Sequence, residues 1–185
     1  SGNGVFTDNA ATADKGTTVV TGSVTAAGNG FDVQDWSKGS IDITVNGKVD
    51  AGGIGIFADN TAAGQDLRIT ANDSIDADGI GIYALSDGQG ELNIHTLGTV
   101  TTGSSGIVAS HVGAGAATIT ADKAITASGP NGIEFSSTAS TSTAVITANE
   151  DLTASTRGIY AMHSGTGLLT VESKGKAVGT AWDGI

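Results

Sequence analysis

The side chains with the most chemistry to offer are three histidines (His95, His111, His163), two arginines (Arg68, Arg157) and an acidic doublet, Asp76 and Asp78. General acid–base work, or calcium-assisted proton abstraction, needs at least two charged groups converging on one face. Their spacing speaks against that. Aligned on a glycine that recurs every 25 or 26 residues, Arg68 and Arg157 fall nearly four repeats apart and on different segments. His111 and His163 share a column five residues past that glycine, but Ser137 lies between them. Two repeats at strand spacing make about 9–10 Å, too far for both imidazoles to hold one ion at about 2 Å. His95 projects from another segment, among Thr44, Thr70, Thr120 and Thr147. All three histidines therefore read as solvated surface residues. The stretch from Ser74 to Gly79 opens like an EF-hand loop, yet its twelfth position is Leu85 and no helical pattern flanks it. Asp76 and Asp78 read as corner residues of a solvated turn. No catalytic residue, no metal site and no cofactor is expected.

One column has a different character. Two past each recurring glycine stand Phe6, Asp32, Phe57, Tyr83, Val108, Glu134 and Tyr160. Strand alternation puts them on the solvent side if the residue just after the glycine points inward. Exposed neighbouring rings such as Phe57 and Tyr83 suit a stacking platform for a glycan or a contact site for a partner chain, with Tyr160 as an outlier three repeats away. The same rings also suit a plainer role as covers for the backbone beside the glycine. Outward threonines form partial columns, but Asp42, Arg68, Asn93, Thr118 and Val145 interrupt the neighbouring one, so they read as ordinary strand formers rather than an ice-binding array.

The element that must position all of these is the repeat itself. A glycine followed by an apolar residue recurs at Gly4, Gly30, Gly55, Gly81, Gly106, Gly132, Gly158 and Gly184. Each unit holds three short segments of alternating apolar and polar residues separated by Gly, Asn, Asp and Ser, and none has helical periodicity. The units stack into columns. The first segment contributes Val5, Phe31, Ile56, Ile82, Ile107, Ile133 and Ile159; the second, Ile43, Ile69, Ile94, Ile119, Ile146 and Val171; the third, Val24, Val49, Ile75, Val100, Ile125, Leu152 and Val178. This predicts an all-β, right-handed parallel β-helix, a solenoid of about seven rungs of 25–26 residues with three strands each, forming one domain over residues 1–185. The glycine column reads as a corner or bulge with positive φ, or as a close backbone approach between rungs. A dinucleotide-binding role for Gly53-Ile54-Gly55 fails because no helix follows.

Composition agrees. Aromatics make up 4% of the chain, too few for a conventional globular core, while hydrophobics reach 38% and are evenly spread, which argues against disorder. A net charge of −11 with only eight basic residues excludes nucleic acid and anionic membrane surfaces as partners. No apolar run is long enough for membrane insertion by this segment. The repeat starts at Gly4 and still runs at Ile185, so the chain reads as a piece of something longer, whose ends offer end-to-end or side-by-side self-association.

Units such as Gly79-Ile80-Gly81-Ile82-Tyr83-Ala84, Gly132-Ile133-Glu134-Phe135 and Arg157-Gly158-Ile159-Tyr160-Ala161, each followed by an isoleucine/threonine strand and a short Val/Ile-containing one, resemble the passenger region of bacterial autotransporters. The resemblance covers essentially the whole chain. It implies a type V secreted adhesin-like β-helix, exported through the outer membrane by a C-terminal barrel, displayed at the bacterial cell surface or released, and acting in virulence. The implied partner is a host or neighbouring-cell surface protein or glycan. The family's enzymatic branches find no matching residues here. The competing reading is the scaffold of a carbohydrate-active β-helix, a polysaccharide lyase or hydrolase. That would call for inserts longer than about 12 residues between strands, whereas the longest turn, Ser136 to Thr143, is short and Ser/Thr-rich.

Overall fold

The computed structural model describes residues 2–10, 12, 14–61, 63–138, 143–181 and 184–185. The chain is a parallel β-helix of about seven turns, built from three seven-stranded parallel sheets. The first sheet stacks Val5–Asn9, Phe31–Asp35, Ile56–Asn60, Ile82–Ser86, Ile107–His111, Asn131–Ser137 and Arg157–His163. The second stacks Thr17–Thr21, Ile41–Val45, Leu67–Ala71, Leu92–Thr96, Ala117–Ala121, Ala144–Ala148 and Leu169–Ser173. The third stacks Val24–Ala26, Val49–Ala51, Ile75–Ala77, Val100–Thr102, Ile125–Ala127, Leu152–Ala154 and Ala177–Gly179. Of the Ser136–Thr143 turn, residues 139–142 lie outside the described residues.

Each residue pairs with its equivalent one repeat later. Ile82, for example, sits between Ile56 and Ile107, and Ile94 between Ile69 and Ile119. Alternation sends these columns inward, where they are buried in every central turn. In the seventh turn the last column shifts by one residue. Ala177 rather than Val178 pairs with Leu152, because the Leu152 amide donates to the Lys176 carbonyl and fixes the register. The slip that brings Val171 opposite Ile146 is thus carried into the next strand instead of being absorbed in the turn. Beyond this turn Ile159, Ala161, Leu169 and Val171 line a cleft of about 410 Å³ with Ile185 at its edge.

The recurring glycine marks the close approach of neighbouring turns. None of the described glycines has positive φ, so the left-handed corner is not what selects it. A Cβ on Gly55 would stand 2.5 Å from the Gly81 carbonyl oxygen and 2.7 Å from Ile75 Cγ2, and one on Gly81 would meet Gly106 and Val100 in the same way. The backbone continues the ladder through this point, with the Gly55 amide donating to Ile80 O and Ile56 to Gly81 O, both at 2.9 Å. Only a residue without a side chain fits between them.

The interior is not wholly apolar. A column at the end of the first sheet contains Asp35, Asn60, Ser86, His111 and Ser137, all buried. His111 is therefore a core residue rather than a solvated one. Its Nε2 donates to the Gly115 carbonyl at 2.9 Å and its Nδ1 meets the Ser86 hydroxyl at 3.2 Å. Asp35 accepts from the Ser37 amide at 2.7 Å, and Asn60 Nδ2 donates to the carbonyls of Gln65 and Asp66. The chain leaves the first sheet here, and the backbone groups of the following turn, the Ser37 amide and the carbonyls of Gln65, Asp66 and Gly115, turn toward this column and need polar partners. Polar side chains supply them. His163, in the same column, is half-buried, and His95 is a surface residue. Asp76 lies mid-strand and outward rather than at a corner, while Asp78 does sit in the following turn.

Candidate binding face

The outer side of the first sheet carries two columns. One runs Phe6, Asp32, Phe57, Tyr83, Val108, Glu134, Tyr160; the other runs Asp8, Gln34, Asp59, Leu85, Ser110, Ser136, Met162. Parallel pairing in strict register makes residues of like offset neighbours, so sequence alignment alone brings Phe57 beside Tyr83. Their ring centroids lie 5.6 Å apart with planes tilted by 58°, within the range of favourable aromatic pairs. Each is half-buried, because each ring covers part of the other and of the strand beneath. Val108 and Leu85, the next neighbours of Tyr83, extend the apolar area. Trp36, 45% exposed, stands at the edge of this face where the chain leaves the strand ending at Asp35.

Tyr160 is not part of this group. It lies three turns away, where the Arg157 guanidinium covers its ring at 4.8 Å and its hydroxyl donates to Met162 Sδ at 2.8 Å. The three aromatic residues expected to bind thus divide into a contiguous pair and a separately engaged tyrosine. Leu85, Val108 and Asp59 complete the surroundings of the pair. The offset of Val108 and Leu85 from the glycine already placed them there, but their types carry no chemistry that would single them out.

Charge is distributed unevenly over the three faces. On the second sheet and its edges Arg68 bonds Asp66 at 2.7 Å, His95 Nε2 donates to Asp122 at 2.8 Å, and Lys123 reaches Glu150 at 2.8 Å. On the third, Lys48 lies between Asp50 and Asp76 at 3.3 and 3.4 Å. The hydrogen bonds from His95 and then Asn149 hold the Asp122 carboxyl below the usual range, while Asp50 and then Asp76 hold the Lys48 ammonium above its own. On the first sheet the situation reverses. Among the described residues, Asp32, Asp59 and Asp87 have no Lys or Arg partner. Asp32 accepts from the neutral amides of Asn3 and Gln34, at 2.8 and 3.1 Å. Asp59, half-covered beside Leu85, is pushed above the usual carboxyl range by burial first and by the Asp87 charge second.

Among the described residues no three of His, Cys, Asp or Glu are placed to hold a metal ion. The His95–Asp122 dyad is flanked in register by Thr70 and Thr120, and its Asp122 also accepts from Asn149 and feels the Lys123 charge. What this arrangement can do is hold a ligand against two rings and two carboxylates. No family model matches the chain, and no match is found among curated proteins or solved structures.

Proposed function

We propose that this chain is a non-enzymatic β-helical rod, displayed at a bacterial cell surface or secreted as part of an autotransporter passenger, and that the outer face of its first sheet binds a partner on another cell. The observation that carries this reading is the Phe57–Tyr83 pair, which sits with Val108 and Leu85 on an otherwise acidic and Thr-rich surface. Aromatic anchors commonly supply most of an interface's energy, and a sheet with unbroken register holds them without an ordering cost at binding. The acidic, cysteine-free composition and the resemblance of the repeats to passenger regions support secretion.

The double variant Phe57→Ser/Tyr83→Ser tests it. Removing two half-covered rings should lower stability by about 1–2 kcal/mol and leave the β-sheet circular dichroism unchanged. Attachment of the rod to target cells should fall at least ten-fold. Intact folding with undiminished attachment would leave the rod a passive spacer, and collapse of the fold would make the rings covers for the backbone.

A further inference from the structure

The first-sheet column contains the same sequence of groups twice. In the later copy Glu134 precedes Tyr160 by one turn, and the Arg157 guanidinium lies over the tyrosine ring at 4.8 Å. In the earlier copy Asp32 precedes Phe57, which leads on to Tyr83. Arg157 immediately precedes the recurring glycine Gly158; the equivalent residues before Gly55 and Gly81 are Ile54 and Ile80. The chain therefore supplies a cation to the Tyr160 ring, while Glu134 accepts from the Asn131 amide at 2.7 Å, and among the described residues it supplies no cation to the Phe57–Tyr83 pair.

Resting on the reading of this face as the binding surface, we propose that the Phe57–Tyr83 platform, with Asp32 and Asp59, receives a guanidinium or ammonium side chain from a basic segment of a protein partner. Ring faces attract cations electrostatically, and the attraction grows as water is excluded. Among the described residues Asp32 is bonded only to neutral amides, and Asp59 lies beside the apolar patch with Asp87 as its charged neighbour. An anionic ligand would meet three carboxylates and, among the described residues, no base there. A neutral sugar would stack on the rings but leave those carboxylates uncompensated. A cation relieves both the repulsion between Asp59 and Asp87 and the incomplete solvation of Asp59.

The ring resonances of the full chain, which has four phenylalanines and two tyrosines, give a direct readout by NMR. The probes are a hexa-arginine peptide, the same peptide with citrulline at every arginine, and cellohexaose as a neutral glycan. The expected result is a saturable shift of the Phe57 and Tyr83 resonances with the arginine peptide, weakening as salt is raised. Binding should be about ten-fold weaker in Asp32→Asn/Asp59→Asn. It should change less than two-fold in Glu172→Gln/Asp78→Asn, which removes the same charge from elsewhere on the surface and so controls for nonspecific attraction to an acidic protein. Equal weakening in the two double variants, or equal binding of the citrulline peptide, would overturn the inference. Cellohexaose moving these resonances while the arginine peptide does not would also overturn it, leaving the face as a glycan platform. If no probe moves them the inference fails, while the binding-face reading is decided separately by the cell attachment of Phe57→Ser/Tyr83→Ser, so the two failures are distinguishable.

Discussion

Replacing Ile94 with aspartate is expected to unfold the middle of the helix. Ile94 is fully buried at the centre of a second-sheet strand, stacked between Ile69 and Ile119. The core is one narrow layer per turn, so a carboxylate there has neither water nor a counter-charge, and its burial costs on the order of 4–5 kcal/mol. That is a large share of the roughly 5–15 kcal/mol that a whole domain commands. Because each turn contacts chiefly its neighbours, the damage should be local at first: hydrogen-exchange protection should vanish in the third to fifth turns before the ends. Asn93→Asp, one residue away and outward, should change stability by no more than about 0.5 kcal/mol. A melting curve for the Ile94 variant close to that of the parent would mean that the strand faces the other way.

The second large effect comes from a methyl group. In Gly81→Ala the new Cβ would stand 2.5 Å from the Gly106 carbonyl oxygen, 2.7 Å from Val100 Cγ1 and 3.0 Å from Thr102 Cγ2. Two of these belong to the next turn's core and one to its backbone, so relief requires adjacent turns to separate where they are hydrogen-bonded. We expect a loss of about 2–4 kcal/mol, measured by denaturant unfolding. Gly22→Ala is the control, since nothing lies within 4 Å of its Cβ position. That change should be neutral or raise stability by up to about 1 kcal/mol through the unfolded chain. Equal behaviour of the two variants would remove the close-approach explanation of the glycine column.

Periodicity made most of this architecture readable. Once Gly55, Gly81 and Gly106 are aligned, the residues after them must stack, and the inward columns of Ile56, Ile82 and Ile107 follow from parity alone. His111 is buried because the same parity extends one step further. It stands at the same odd offset as Ile107 and Ala109, so alternation already directs it inward, against the expectation set by its polarity. The shift to Ala177 was not readable, because a one-residue change in a turn leaves the apolar pattern intact while hydrogen bonding decides the register. The neighbourhood of the Phe57–Tyr83 pair was legible as a column but not as an electrostatic environment. Which carboxylates find bases depends on turn geometry, as when Lys48 reaches Asp50 and Asp76.

Confinement of binding to the outer face of the first sheet can be tested by blocking one face at a time. The chain has no cysteine, so single cysteines placed outward in the fifth turn, Ser110→Cys on the first sheet, Thr120→Cys on the second and Thr126→Cys on the third, each give one attachment point for a bulky polyethylene-glycol maleimide. The measurement is attachment of each labelled rod to target cells relative to its unlabelled form. Only the label at Ser110→Cys is expected to abolish attachment. Loss of attachment through the label at Thr120→Cys or Thr126→Cys, with the Ser110→Cys rod still binding, would contradict it.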